Sequence, residues 1–188
     1  MIWRRLLLRS DQTLADLHST LQIAFGWSDF HLHRFRIHGK DFGVFRRGGP
    51  SFSQSAHQVR LAEFQFRLGE RFLYEYDFGD GWEHQIRLER ILPFQPEQIY
   101  PVCMGGKRSS PPEDCGGVAA FQQQRDEAPW RAQELLDQIA DCVRERDNTA
   151  LRDLAEEIPA LQTWLTAHQF NRRQVNRELH QHAMQEAR

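Results

Sequence analysis

The highest density of chemically active side chains in this chain of 188 residues lies between residues 72 and 84. Aromatic residues stand there beside the carboxylates of Asp77, Asp80 and Glu83, and His84 closes the stretch. Paired carboxylates can bind a cation or act as a general acid and a general base. They can equally form a solvated strand face whose charges are relieved by a nearby arginine. The residue types leave both interpretations open.

A β-hairpin is the predicted structure of this stretch, with strands over residues 70–78 and 82–90. A three-residue loop, residues 79–81, keeps the aromatic residues on one face, whereas a two-residue turn would mix apolar and polar side chains there. This register places Asp77 opposite Glu83, a pairing that destabilises a sheet unless a metal, a shared proton, solvent or an arginine relieves it. The predicted cross-strand pairs are Phe78 with Trp82, Tyr76 with His84, Tyr74 with Ile86, and Phe72 with Leu88.

Two histidines in a preceding predicted strand, residues 31–37, widen the set of metal ligands. Period-two counting places His31 and His33 on the same face as Phe35 and Ile37. Two imidazoles spaced in this way can bind a metal, although histidines beside phenylalanine and isoleucine are more often hydrogen-bonded residues of the core. The candidate metal ligands are His31, His33, Asp77, Glu83 and His84, and the cofactor that they would bind is a divalent metal.

The elements that must position these side chains begin with a strand over residues 2–9, followed by a helix. Thr13 is the predicted N-cap, Asp16 completes a capping box, and Gly26 ends the helix. Residues 39–55 are rich in glycine and serine and contain no phosphate-binding spacing, so they predict an irregular, mobile connector.

A second loop, residues 100–117, combines prolines, glycines and charges with Cys103 and Cys115. Long irregular loops often carry function. The two cysteines lack the paired spacing of a zinc ribbon, and a zinc site would need His31, His33 or His84 to be supplied by the fold. The alternatives are a buried thiol and an incidental thiol. The elements predicted beyond this loop are a short helix over residues 118–124, a longer one beginning at Pro129, a helix capped by Asn148 or Thr149, and a fraying polar tail from Asn171.

Composition and charge limit the classes of function. The net charge of −2 and the pI of 6.5 give no overall attraction to nucleic acid, although a local basic patch stays compatible with it. No apolar run approaches the roughly 20 residues that a membrane-spanning helix needs. The odd count of three cysteines, without an export signal, favours the reducing cytoplasm.

Several segments, taken in order, resemble the plasmid pRiA4b ORF-3-like family. They are residues 2–5, 13–18, 26–27, 31–35, 74–84, 100–103 and 111–117. The resemblance covers residues 2–118 and, weakly, the end of the chain, and it implies an α+β domain without an established activity. Some members are labelled transposon-passenger or resolvase proteins, but the nucleophilic serine and helix-turn-helix of a serine resolvase are not legible here. The binding residues that the resemblance implies are Tyr74, Tyr76, Asp77, Asp80, Trp82, His84, Cys103, Glu113 and Asp114.

The predicted fold is therefore α+β, with a mixed or antiparallel sheet whose central β-hairpin packs on the N-terminal helix, plus a C-terminal helical segment. We expect an α+β domain over residues 1–118 and a helical extension over residues 119–188 packed on the same domain, with residues 125–160 as an addition to the family pattern. The strand that usually precedes Trp3 in the family is missing, which predicts either strand pairing in a homodimer or a start codon placed too late.

Three functions compete at this stage, and whether the protein is an enzyme is left open. The first is a binding or interaction module whose recognition cleft, formed by the acidic-aromatic hairpin and the loop of residues 103–117, takes a small molecule or a protein. The second is a metal-dependent hydrolase or nuclease. The third is a nucleic-acid-binding protein of mobile elements, using aromatic stacking and the cations Arg46, Arg47, Lys107 and Arg108.

Overall fold

The chain folds as an α+β protein, as predicted, in a computed structural model that describes residues 1–45 and 49–186. The strands are β1 (Trp3–Leu7), β2 (His33–Ile37), β3 (Lys40–Gly43), β4 (Gln54–Ser55), β5 (Arg71–Tyr76), β6 (Trp82–Arg87) and β7 (Val102–Lys107). The helices are α1 (Leu14–Phe25), α2 (Gly117–Glu145), α3 (Asn148–Leu165) and α4 (Arg172–Glu186), and a 3₁₀ turn spans Leu61–Phe64. Among the residues described, no helix is long and apolar enough to cross a membrane.

Two sheets carry the fold. The larger has the order β4-β3-β2-β5-β6 and is antiparallel except between β3 and β4, while β1 and β7 form an antiparallel pair of their own. Helix α1 covers the larger sheet because its apolar stripe, which includes Leu14, Leu17 and Leu21, packs with Phe35 and Tyr74 in the main core. That burial removes the aromatic face of the hairpin from water.

The ends of α1 follow the predicted capping residues. The Asp16 backbone N–H donates to Thr13 Oγ1 at 3.1 Å, and the Thr13 backbone N–H donates to the Asp16 carboxylate at 2.8 Å. Gly26 ends the helix in the left-handed conformation, with φ at 69°. Such caps replace hydrogen bonds that the helix ends cannot make internally. The cap at Gly26 fixes the direction in which residues 27–33 leave the helix.

The predicted register of the hairpin is wrong by two residues. Asp77 adopts a left-handed φ of 56°, and its carbonyl accepts from the Gly81 N–H at 2.6 Å, so the strand ends at Tyr76 and the loop has five residues. Phe78 is consequently 38% exposed and unpaired in the ladder. A shift by two keeps every side chain on its face, so the aromatic face is retained. The observed pairs are Tyr76 with Trp82, Tyr74 with His84, Phe72 with Ile86, and Glu75 with Glu83.

The carboxylate opposite Glu83 is therefore Glu75 and not Asp77. An arginine relieves this pair, because the Arg34 guanidinium on the neighbouring strand bonds to Glu75 and also donates to Asp41 at 3.3 Å. Arg36 binds Asp41 as well, at 3.0 Å. On this face of the sheet the charges form a structural ion-pair network.

Both predicted loops contain strands. The connector of residues 39–55 includes β3 and β4, and the loop of residues 100–117 includes β7, which pairs with β1. The sequence of β7 includes two glycines, which have low strand propensity, and a cysteine, so propensity alone does not predict this strand. Arg46 and Arg47 lie outside the described residues. Strand pairing between two subunits stays a prediction.

The C-terminal half is more regular than predicted. Helix α2 continues through Pro129, where a separate helix was predicted to begin, and α3 continues through Pro159. The N-cap of α3 is Asp147, whose carboxylate accepts from Thr149 and Ala150 at 3.0 Å, rather than Asn148 or Thr149.

The predicted fraying tail is helix α4. Val175 and Leu179 are buried against Ala24 and Cys103, and the Asn176 amide hydrogen-bonds the backbone of Cys103 at 2.7 and 3.0 Å. Two apolar residues one turn apart, with one well-placed amide, therefore anchor an otherwise polar helix. The division at residue 118 stays a prediction.

Candidate metal-binding site

Three side chains that lie far apart in sequence converge where the hairpin turn meets the start of α2. His31 Nδ1 lies 3.7 Å from Asp77 Oδ1, and His31 Nε2 lies 3.0 Å from Asp114 Oδ1. One ligand atom from each of the three residues falls within 4.8 Å of the others. The set offers one imidazole nitrogen and two carboxylates. Such a set can bind a divalent metal.

The contact between His31 and Asp114 is close but is not a hydrogen bond. Although the two atoms are 3.0 Å apart, the contact lacks hydrogen-bond geometry, and His31 Nε2 is buried with no hydrogen-bond partner among the described residues. Buried polar atoms are nearly always hydrogen-bonded. A buried nitrogen close to a carboxylate and not bonded to it is the arrangement expected of two ligands around an ion.

Asp77 is held in place by the backbone. Its N–H donates to the Leu32 carbonyl at 2.9 Å, and its Oδ1 accepts from the N–H groups of Gly79 at 2.9 Å and Asp80 at 3.3 Å. The residue is 6% exposed. An aspartate side chain that bonds its own following backbone tolerates the left-handed conformation. The turn therefore places a buried carboxylate beside the imidazole.

Glu113 fastens the loop after β7 to the end of β5 and to the segment that follows α1. The Tyr76 hydroxyl donates to Glu113 Oε1 at 2.5 Å, and the Ser28 N–H donates to Glu113 Oε2 at 3.0 Å. Burial alone would raise the pKa of Glu113, but these bonds and the nearby His31 bring it below its ordinary value. Burial and the Glu113 carboxylate raise the pKa of Tyr76, so the phenol keeps its proton and remains the donor.

Two further contacts complete the attachment. The Trp27 indole N–H donates to the Pro111 carbonyl at 2.9 Å, and the Gly116 N–H donates to Asp80 Oδ2 at 3.2 Å. Of the predicted binding residues, Tyr76, Asp77, Asp80, Glu113 and Asp114 thus meet in one place.

The other predicted site residues lie elsewhere. Glu83 is exposed on the opposite face of the hairpin, and His84 packs against Phe25 and Trp27. Burial lowers the pKa of His84 to about 4, so the ring is neutral. Cys103 is buried against α4, where burial raises the pKa of its thiol. Within the described residues, neither group with metal-binding spacing contains any of these three side chains.

The comparison with known proteins supports the resemblance. The family model of the plasmid pRiA4b ORF-3-like proteins matches residues 1–178. The chain belongs to this family. The match extends beyond the predicted boundary at residue 118, so α2, α3 and part of α4 are included in it. The segment of residues 125–160 is thus inside the family match.

Two relatives of this pRiA4b ORF-3-like protein carry names without a function. The uncharacterized protein y4hQ of Sinorhizobium fredii (strain NBRC 101917 / NGR234) is 34% identical over 147 residues, which are 78% of this chain and 70% of the relative. A crystal structure of a protein of unknown function, MM3350 from Methanosarcina mazei Go1, matches with a TM-score of 0.64 and 31% identity over 92% of this chain and 87% of that one.

A second group of the pRiA4b ORF-3-like protein was not predicted. His33 stacks on His18, with ring centroids 3.5 Å apart and planes at 13°, and His18 Nε2 lies 2.8 Å from Asp29 Oδ1. The signal was present in the sequence, because His18 falls within the apolar stripe of α1, between Leu14 and Leu21. A histidine at a core-facing position needs polar partners.

Proposed function

We propose that this protein is a binding module whose recognition cleft contains a divalent cation held by His31, Asp77 and Asp114. The cleft is the space between the hairpin turn, residues 77–81, and the loop of residues 109–116. The buried His31 nitrogen, close to a carboxylate yet not hydrogen-bonded, is the observation that carries the proposal. The cytoplasm is the setting that we propose for it.

The contrast with the other carboxylates of the sheet supports a cation. Arg34 and Arg36 neutralise Glu75 and Asp41, whereas the buried Asp77 accepts backbone hydrogen bonds and its ionisable neighbour is His31. A buried carboxylate is costly unless it is paired or coordinates a metal. A bound ion would satisfy Asp77 and Asp114 together.

The exposure of the three ligands indicates how a partner would be bound. The Asp114 side chain is 74% exposed and that of His31 is 28% exposed, so the outer side of the cation faces solvent. Three protein ligands leave coordination positions open for water or a ligand. We infer that an anionic oxygen, from a small molecule or a protein segment, completes the coordination.

The decisive experiment compares metal binding by wild type and three carboxylate variants. Elemental analysis and calorimetric titration with Zn²⁺, Mn²⁺ and Mg²⁺ are expected to show one ion lost in Asp77→Asn and Asp114→Asn. Glu83→Gln is the matched control, because it removes a charge from the same hairpin on the opposite face, and it should bind as wild type does. Asp114 is an exposed loop residue, so a loss there does not come from misfolding. Equal binding by all four proteins would contradict the proposal.

A metal-dependent hydrolase is the second candidate, and the open outer side of the cation favours it. A metal-bound water there could become a nucleophile near neutral pH. The test is hydrolysis of a simple phosphodiester or ester by the metal-loaded protein, with Asp114→Asn as the control. Turnover in wild type that the variant loses would establish an enzyme, and its absence would leave the binding module.

Nucleic-acid binding stays a prediction with less support. Of its four proposed cations, only Lys107 and Arg108 lie within the described residues. A mobility-shift assay at two salt concentrations would decide it, because phosphate contacts weaken steeply with salt.

A further inference from the structure

Tyr76 lies close to both the buried group of His18, Asp29 and His33 and the proposed cation site. The Tyr76 ring centroid is 6.3 Å from that of His18 and 5.8 Å from that of His31. His18 and His33 are 5% and 6% exposed, while the Asp29 side chain is 50% exposed. One ligand atom from each of the three falls within 4.8 Å of the others. The group thus consists of two buried imidazoles in contact with each other and one half-exposed carboxylate.

The residues around His18 are arranged as those around a metal-ligating histidine. Its Nδ1 is 2.8 Å from the Tyr74 hydroxyl, and the Gln22 amide donates to that hydroxyl at 3.0 Å. The same amide group orients the carboxylate residue, since Gln22 Oε1 accepts from the Asp29 N–H at 3.1 Å. Metal-binding histidines almost always bond an oxygen through their second nitrogen, which fixes the ring.

The hydrogen bonds allow His18 to present a lone pair. A hydroxyl oxygen has two lone pairs and can accept from both His18 and Gln22. In a metal-bound form the imidazole would carry its proton on Nδ1, towards Tyr74, and the ion would replace the proton that His18 Nε2 shares with Asp29 Oδ1 in the structure. The ring remains neutral in this tautomer, as a ligand requires.

We propose that His18, Asp29 and His33 form a second metal site, selective for a transition metal such as Fe²⁺, Co²⁺, Ni²⁺ or Zn²⁺. Two imidazoles and one carboxylate suit these metals, whereas Mg²⁺ and Ca²⁺ prefer oxygen ligands. In the structure the two rings are stacked with their planes 13° apart, so binding of one ion by both imidazoles would require the rings to tilt. The exposed Asp29 provides the entry path.

Cobalt titration of the full chain tests the site. Wild type is expected to bind Co²⁺ with a visible absorption band, and Asp29→Asn and His33→Gln should each lower the affinity of that band at least tenfold. Asp77→Asn/Asp114→Asn, which removes the first site, should keep the band. His38→Asn is the matched control, because this exposed histidine also pairs with a carboxylate, that of Glu70. An unchanged band in both Asp29→Asn and His33→Gln overturns the proposal.

A second test uses only the wild-type protein, so its result does not depend on whether the variants fold. Zn²⁺ titration followed through the imidazole ¹⁵N resonances should shift the signals of His18 and His33 and leave that of His38 in place. Shifts confined to His31 would overturn the second site while supporting the first. Shifts confined to His18 and His33 would support the second site and contradict the first.

Discussion

His31 and His84 were both candidate metal ligands, and the structure gives them opposite surroundings. His31 has a carboxylate near each ring nitrogen, whereas His84 lies among Phe25, Trp27 and Tyr74, with Nδ1 at 3.1 Å from the carbonyl of its own strand. His31 is placed to bind an ion together with two carboxylates, and His84 packs among aromatic side chains. The comparison shows that a histidine in a motif gains its role from the segments that the fold brings to it.

The largest effect expected from this comparison is a pH dependence due to His84. Its pKa is about 4 in the folded protein and 6.5 ordinarily, so the unfolded chain binds the proton more readily. The stability that neutral His84 contributes is complete above pH 6.5 and is lost as the pH falls towards 4, by about 3 kcal/mol. His84→Asn, followed by urea unfolding, should show a correspondingly smaller loss over this window.

The control for this measurement is His57→Asn, since His57 is an exposed histidine. Its stability should follow the wild-type pH curve. If His84→Asn also follows that curve, His84 is not an uncharged residue of the aromatic core, and its surroundings do not distinguish it from His31.

An intermediate effect is expected from Arg34, which neutralises Glu75 and Asp41 on the face of the sheet opposite the aromatic side chains. Arg34→Met leaves the half-buried Glu75 without its guanidinium and opposite Glu83, which should lower the free energy of unfolding by about 2 kcal/mol. Urea unfolding measures it. Arg36→Met, which removes an exposed partner of Asp41, should cost less than about 1 kcal/mol. Equal costs would show that burial does not distinguish the two arginines of this face.

The smallest effect is expected from Tyr76→Phe, which removes the hydroxyl that donates to Glu113. The variant should lose about 1 kcal/mol near pH 7. Because the pKa of Glu113 is lowered in the folded state, its contribution is present above the ordinary value of 4.5 and is lost as the pH falls below it. The difference between variant and wild type should therefore shrink in acid, and a constant difference from pH 7 to pH 3 would contradict the role of Glu113.

Local patterns predicted the local structure well. The capping residues of α1 and the aromatic face of the hairpin follow from spacing alone, and a two-residue slip does not alter a face. The register itself was missed because Asp77 turns the chain through its own side chain, which a count of apolar residues does not detect. Strand β7 and helix α4 were missed because their stability comes from partners, β1 for one and Cys103 with Ala24 for the other.

The candidate site was predicted only in part for the same reason. The acids of the turn and of the loop near residue 113 were identified, and so were His31 and His33. What decides their use is the meeting of chain segments: Asp114 reaches His31, and His18 reaches His33. The spacing of residues in the sequence does not predict those contacts. Glu83 and His84 were therefore included among the predicted metal ligands although they lie apart from the others.

The separation of His31, Asp77 and Asp114 along the chain has a consequence for breathing motions of the protein. An ion held by all three would cross-link three distant segments, in the native state and not in the unfolded chain. Such a link closes long loops, whose closure is entropically costly, and it disappears whenever one segment detaches. Bound metal would thus slow hydrogen exchange at the Asp77 and Gly81 amides, together with proteolytic cleavage of residues 109–116.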